Sequence, residues 1–312
     1  MLPLIVDMQI PGLGPLEVPS YFLMVTVAFL VGTSLAVRDA RRMGIRVIDV
    51  LDLSLIALAF GLAGARLAHV FLESPWITLP VPAQSNAGWT HFFCRMAGEN
   101  HDVTRPWNLG RYYLLHPQMV FALWNGGLVF YGGLILGLPA GWIFCRRRNL
   151  AFWPTADLVA PIAAAGLSFG RMGCLLAGCC HGKPIEGAFK SIGIVIESSG
   201  FRDAPLWPTQ PFETLACFVI CWILYRMQRV KAFDGQIFLA LLLLYGVWRA
   251  FDESLRGDEQ RGLHGGLTTS QWISVALVSA ALALAPILWK RRVRPMGGGT
   301  APRAPSSALA GA

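Results

Sequence analysis

Seven apolar runs, each close to the length needed to cross a bilayer, dominate this 312-residue chain. They extend from about Tyr21 to Val37, Leu51 to Leu72, Val120 to Cys145, Pro154 to Leu176, Phe212 to Tyr225, Gln236 to Phe251 and Gln271 to Trp289. A hydrocarbon core of about 30 Å calls for about 20 such residues per helix. In lipid, every backbone N–H and C=O must be satisfied within the protein, so such runs are read as helices. The charge content agrees. Only 14% of residues are charged and 54% are hydrophobic, whereas a soluble domain is about a quarter charged. The expected fold is an all-α polytopic membrane protein with about seven transmembrane helices.

The basic residues set the orientation. They cluster from Arg38 to Arg46, Arg146 to Arg148, Arg226 to Lys231 and Lys290 to Arg294. These clusters follow the first, third, fifth and seventh runs, as they must if an alternating chain keeps its basic loops on one side. Basic loops mark the cytoplasmic side, which predicts an outer N-terminus and a cytoplasmic C-terminus. The net charge of +8 is accounted for by these loops and implies no nucleic-acid partner.

Three regions follow. Residues 1–20 form an outer N-terminal segment without Lys or Arg, and so without the basic start of a cleaved signal peptide. Residues 21–290 form the transmembrane domain, with outer loops at about 73–118 and 177–211 making a head region. In the second loop, Ile194 to Glu197 reads as a short strand. Residues 291–312 are basic at first, then rich in Gly, Ala, Pro and Ser from Pro295, and are expected to be disordered. No internal repeat is evident, which weakens a repeat-built transporter.

Against this apolar background the polar residues stand out. Arg171 lies at the outer end of the fourth run, in Gly170-Arg-Met-Gly173. Arg249 lies in the sixth, with Glu253 and Arg256 at i+4 and i+7 on the same helix face. A guanidinium stays charged, and beside lipid it costs several kcal/mol unless it faces a cavity, a partner or an anion. Two of them suggest a phosphate site, because the planar fork binds phosphate through two parallel hydrogen bonds. The plainer reading is a pair of structural anchors at helix ends. Arg66 adds a third guanidinium, in the second run. Tyr131 is a candidate donor or an interfacial anchor. Gly132 and Gly133 either allow a close ligand approach or let helices pack. Glu213 and Glu253 are candidate counter-ions. Cys174, Cys179, Cys180 and His181 lack the paired C-x-x-C spacing of structural zinc sites, so no metal is expected. An oxidised pair between Cys94 and Cys179 or Cys180 would suit an oxidising compartment. No soluble cofactor motif is present.

The motifs in order resemble those of the prolipoprotein diacylglyceryl transferase family. They are Tyr21, Gly64-Ala-Arg-Leu67, Gly126-Gly-Leu-Val-Phe-Tyr-Gly-Gly133, Gly170-Arg-Met-Gly173 and Pro208-Thr-Gln-Pro-Phe-Glu213. Tyr245-Gly-Val-Trp-Arg249 with Glu253 and Arg256, and Gly266-Leu-Thr-Thr-Ser-Gln-Trp272, complete the series. The resemblance covers about Pro19 to Trp289. It implies transfer of a diacylglyceryl group from phosphatidylglycerol to the lipobox cysteine of a prolipoprotein signal peptide, with release of glycerol phosphate. It also implies a multi-pass enzyme of the bacterial inner membrane, with its site toward the outer face and membrane lipid as partner. Tyr131, Arg171 and Arg249 become the candidate catalytic residues. Tyr21, Arg66, Gly132, Gly133, Gly170, Gly173, Glu213, Glu253 and Arg256 become the candidate substrate-binding residues. The chain departs from the family pattern at Tyr131 and Trp207, where many members carry histidine. It departs again at Cys174, Ala177 and Cys179, where many carry Asn, Asn and Glu. Two rival readings are a relative with another acceptor or no activity, and a transporter or receptor. The last would place polar residues along a path through the midplane.

Overall fold

A computed structural model describes residues 4–10, 14–73, 78–79, 107–108, 113–114, 117–121, 129–196, 204–257 and 263–290. Among these residues there are seven long helices, at the positions the apolar runs predict. They are α1 (Ser20–Met43), α2 (Val47–Ala68), α3 (Phe130–Arg147), α4 (Phe152–Ala177), α5 (Thr209–Gln228), α6 (Gln236–Leu255) and α7 (Thr269–Lys290). Four are long and apolar enough to cross a membrane: α1, α2 with its extension to Phe71, α4 and α7. The extension is a single π turn, His69–Glu73.

The helices differ from the predicted runs at their ends. The third run was expected from Val120, but a short 3-10 turn occupies Pro117–Phe121 and α3 begins only at Phe130. Instead of continuing α3, the backbone N–H of Val129 donates across to the carbonyl of Ala65 on α2. The sixth helix runs past Phe251 to Leu255, which keeps Asp252 and Glu253 helical. The N-terminal segment is not featureless. Strands β1 (Leu4–Ile10) and β2 (Gly14–Pro19) form an antiparallel hairpin that leads directly into α1, a small β addition to the all-α expectation. The expected strand at Ile194 is a single bridge to Leu206. Most of the 73–118 loop, Cys94 and the 291–312 tail lie outside the described residues.

Helix α4 is the hub. It packs against α1, α5 and α6, while α2 pairs with α3 and α6 with α7. Small residues make these approaches close. Ala160 and Ala164 of α4 meet Ile220 and Leu224 of α5 and Ile237 and Leu241 of α6 in one buried cluster. Ala36, Ala40, Val50 and Leu158 join α1, α2 and α4 in another. Large side chains such as Leu30, Leu55, Phe60, Ile135, Leu215, Trp222 and Leu282 point outward. Small residues between helices and large apolar ones outside is the arrangement expected where lipid is the solvent.

The two ends of the bundle are chemically distinct. At the basic end, Arg148 reaches Asp52 at 2.7 Å and Arg46 reaches Asp49 at 2.7 Å. Arg38, Arg146 and Arg226 lie over the rings of Tyr225, Trp142 and Trp222. At this end Asp157 of α4 also caps α6. Its carboxylate accepts the backbone N–H groups of Gly235 (2.7 Å), Ile237 (2.9 Å) and Phe238 (3.0 Å), and Lys231 pairs with it at 3.0 Å. The N-terminal N–H groups of a helix have no intrahelical partner, and an acidic side chain satisfies them and suits the dipole. Gly235, at φ +94°, makes the turn that permits this.

Candidate functional site

Arg171 sits in the penultimate turn of α4, at the end opposite the basic connections. Its Nε donates to Glu213 Oε2 at 2.7 Å. Glu213 lies in the second turn of α5 and is fully buried. Two further bonds fix the pair. Ser168 Oγ donates to the Thr214 carbonyl at 2.7 Å, locking α4 to α5. Tyr245 of α6 donates to Glu213 Oε1 at 3.1 Å.

Arg249 occupies α6 at the same level. It donates to Asp252 Oδ2 at 3.1 Å, to Glu253 Oε2 and, at 3.4 Å, to Ser270 Oγ of α7. Asp252 lies within electrostatic reach of Glu213 and of Arg171. Ser270 in turn accepts a long, 3.4 Å hydrogen bond from the Tyr131 hydroxyl of α3. Two bonded groups, Arg171 with Glu213 and Tyr245, and Arg249 with Asp252, Glu253, Ser270 and Tyr131, therefore lie within electrostatic reach of each other, and they hold all three catalytic candidates. An unpaired charge at this depth would be strongly destabilising, and each guanidinium is paired with at least one carboxylate.

The other candidates fall into two groups. Tyr21 and Gly173 meet where α1 crosses α4. A Cβ added to Gly173 would stand 3.0 Å from the Tyr21 ring, so the glycine is what lets that ring approach. Tyr21 lies within electrostatic reach of Arg171. Gly170 is different, because open space lies beside it. Arg256 caps α6, and its charge acts on Cys180. Arg66 lies apart. It is buried on α2, donates to the Val120 carbonyl at 3.0 Å and stacks over Tyr113. Gly132 and Gly133 face α2. A Cβ at Gly132 would collide with the Gly64 carbonyl and Ala68, and one at Gly133 would stand 3.0 Å from the Gly61 carbonyl. Both glycines lie at the close approach of α2 and α3, next to Tyr131 in the chain.

The sequence reading missed Asp252 and Ser270. Asp252 stands at i+3 from Arg249, a spacing that places two side chains on one face as surely as i+4 does. Ser270 belongs to the Gly266–Trp272 motif but carries no signal of its own, since its partners come from α3 and α6.

The cysteines converge more closely than their spacing suggested. Helix α4 ends at Gly178, whose φ of +72° folds the chain back. As a result the sulfurs of Cys174, Cys179 and Cys180 all lie within 4.8 Å of one another. No disulfide joins these three cysteines. Cys180 is held below its ordinary thiol range, first by hydrogen bonds from Cys174 and Cys179 and then by the charges of Arg256 and Arg171. Contacts with Cys174 and Cys180, and burial, push Cys179 up.

Comparison with known proteins adds an independent finding. The profile of the family described as prolipoprotein diacylglyceryl transferase matches residues 9–287. The phosphatidylglycerol–prolipoprotein diacylglyceryl transferase of Geobacillus kaustophilus is 29% identical over 276 residues, covering 87% of this chain and 88% of that protein. The protein of the same name from Aromatoleum aromaticum is 28% identical over 285 residues, covering 88% and 92%. That from Clostridium tetani is 36% identical over 162 residues, covering 51% and 63%.

Proposed function

The chain belongs to the prolipoprotein diacylglyceryl transferase family, and on that premise we propose that it moves the diacylglyceryl group of phosphatidylglycerol onto the lipobox cysteine of a prolipoprotein. The thiol sulfur forms a bond to the glyceryl carbon, the bond from that carbon to the phosphate oxygen breaks, and the thiol proton is given up. The products are a thioether and glycerol phosphate.

The observation that carries this reading is the pair of enclosed, carboxylate-held arginines, Arg171 and Arg249, whose partners lie within electrostatic reach of each other. Arg171 engages Glu213 through Nε. A guanidinium has five N–H donors in a fixed fork, so its Nη edge remains suited to a phosphate. Arg249 supplies a second buried guanidinium, held by Asp252 through Nη1 and by Glu253 through Nη2. Charge building on the departing phosphate is stabilised by donors already in place, the kind of arrangement that contributes most where water is excluded. Tyr131 is a hydrogen-bond donor in this scheme, to phosphate or to the glycerol backbone, because its phenol offers an O–H. Tyr21 and Gly170 border the headgroup site. The open apolar face of α7 formed by Thr269, Trp272, Ile273 and Ala276 suits an acyl chain. Arg66, Gly132 and Gly133 hold the surrounding helices.

In this reading all seven helices cross the inner membrane, the basic end faces the cytoplasm and the arginine site faces outward. The decisive experiment is complementation of a bacterial strain depleted of its own transferase. A reporter lipoprotein should regain its diacylglyceryl mass, and a reporter that stays unmodified while the protein is present in the membrane refutes the function. Orientation is tested separately. Single cysteines beside Asn108 should react with an impermeant reagent in intact spheroplasts, and those beside Arg147 or Arg229 should not. The reverse pattern overturns the topology.

A further inference from the structure

We propose that Cys174, Cys179 and Cys180 form a three-thiolate site for a thiophilic d10 cation, monovalent copper, at the rim of the arginine site. The transfer reaction does not use these residues, and the inference stands independently of it.

Geometry is the first argument. With metal–sulfur bonds of about 2.3 Å, three sulfurs around one ion lie about 4 Å apart. The three sulfurs here all fall within 4.8 Å of one another, so small rotamer shifts suffice to bring them onto an ion.

The second argument is that the backbone holds them. Cys174 is on α4, and the Cys179 N–H donates back to its carbonyl at 3.1 Å. The Cys179 carbonyl accepts from Gln210 Nε2 at 2.7 Å, and the Cys180 carbonyl accepts from Thr209 Oγ1 at 3.1 Å. Both Thr209 and Gln210 are fully buried in the first turn of α5. Cys180 takes a φ of +60°, a conformation disfavoured for a non-glycine residue and retained only where its surroundings impose it. The loop is thus pinned at two successive carbonyls and strained at the residue that turns its sulfur inward.

Ligand chemistry selects the ion. Soft thiolates favour copper(I) and zinc over harder cations. Among the described residues no histidine or carboxylate joins the three sulfurs, whereas a structural zinc site is almost always four-coordinate. Three ligands suffice for copper(I). Charge agrees, since one copper(I) and three thiolates carry two negative charges, and the neighbouring charges acting on Cys180 are those of Arg256 and Arg171. Binding replaces the remaining S–H protons with the metal and releases them to solvent. No electron is transferred.

The test uses the full-length protein in detergent, reduced and without oxygen, titrated with copper(I) buffered by bathocuproine disulfonate. One copper per chain should bind, and X-ray absorption at the copper edge should show a shell of three sulfurs without nitrogen. Cys179→Ser should weaken binding by at least about a hundredfold, since even outer-shell partners of a metal are worth 10–100-fold. The triple variant Cys174→Ser, Cys179→Ser, Cys180→Ser retains Cys94, Cys145, Cys217 and Cys221 as an internal control. A readout on the unaltered protein guards against misfolding of the variants. Copper(I) should block alkylation of Cys179 and Cys180 in tryptic peptides. The proposal fails if the unaltered protein takes up no stoichiometric copper, if the triple variant binds equally, or if nitrogen or oxygen ligands appear. It fails equally if zinc binds in preference. Peptides from freshly trapped membranes that carry a disulfide among these three cysteines would also overturn it, in favour of an oxidised pair.

Discussion

Both ends of the helix bundle carry arginine–carboxylate pairs, but the pairs are built differently. At the basic end the arginines lie largely in the open. The side chain of Arg46 is 68% exposed and that of Arg148 44%, although their partner Asp49 is buried. At the other end the guanidiniums are themselves enclosed, with Arg171 17% and Arg249 8% exposed. Exposed pairs contribute little, about 0–1 kcal/mol, and suit the role of anchors at a charged interface. Enclosed pairs cost desolvation and are weak evidence of stability. In the proposed reading, a phosphate that engages both guanidiniums is the reason for enclosing them.

The comparison breaks most visibly at the enclosed arginines. Arg171→Ala and Arg249→Ala should each cut transfer by about 10²–10³-fold or more, the cost of losing one preorganised donor to a developing charge, while immunoblots still find the protein in the membrane. Lysine at either position should rescue poorly, because it is a point charge without the planar fork. Near-normal turnover in both lysine variants would reduce the site to a generic positive patch.

A second large effect is expected in packing. Gly132→Val places a side chain against the Gly64 carbonyl and Ala68. Overpacking typically costs about 1–3 kcal/mol. The thermal midpoint in detergent should fall, and activity should fall with it as Tyr131 is displaced from Ser270. An unchanged midpoint would mean that the α2–α3 contact is looser than described.

Tyr131→Phe is milder. It removes one hydroxyl, and a neutral hydrogen bond is worth about 1 kcal/mol, so turnover should drop by roughly fivefold with the melting curve unchanged. A complete loss would promote the phenol from donor to an essential proton carrier. The smallest effect belongs to the basic end. Arg46→Ala should change stability by no more than about 1 kcal/mol and leave transfer intact. A drop as large as that for Arg171→Ala would erase the distinction between the two ends.

Much of this was legible from residue order. Apolar length located all seven helices, because in lipid the period of burial matters less than uninterrupted apolarity. Arg171, Arg249 and Glu253 were conspicuous because charge is costly there. What stayed hidden depends on contacts between separate helices. Ser270 gains its meaning from Tyr131 and Arg249, both far away in sequence. The late start of α3 follows from a backbone bond between Val129 and Ala65, which no propensity encodes. The meeting of Cys174 with Cys179 and Cys180 depends on the left-handed turn at Gly178, and ligand spacing along the chain does not reveal it.

The cap that Asp157 places on α6 acts at a distance, as a datum line for the whole bundle. Helices α4 and α6 run in the same direction from that clamp. Fourteen residues separate Asp157 from Arg171, and twelve separate Ile237 from Arg249. At about 1.5 Å per residue these are climbs of roughly 21 and 18 Å, so two helices fastened at one carboxylate deliver their arginines to nearly the same height. A slip of one turn at the clamp would shift one guanidinium by about 5.4 Å relative to the other, more than a single phosphate could span. Three hydrogen bonds near one end of the bundle thereby set the spacing of two charges near the other.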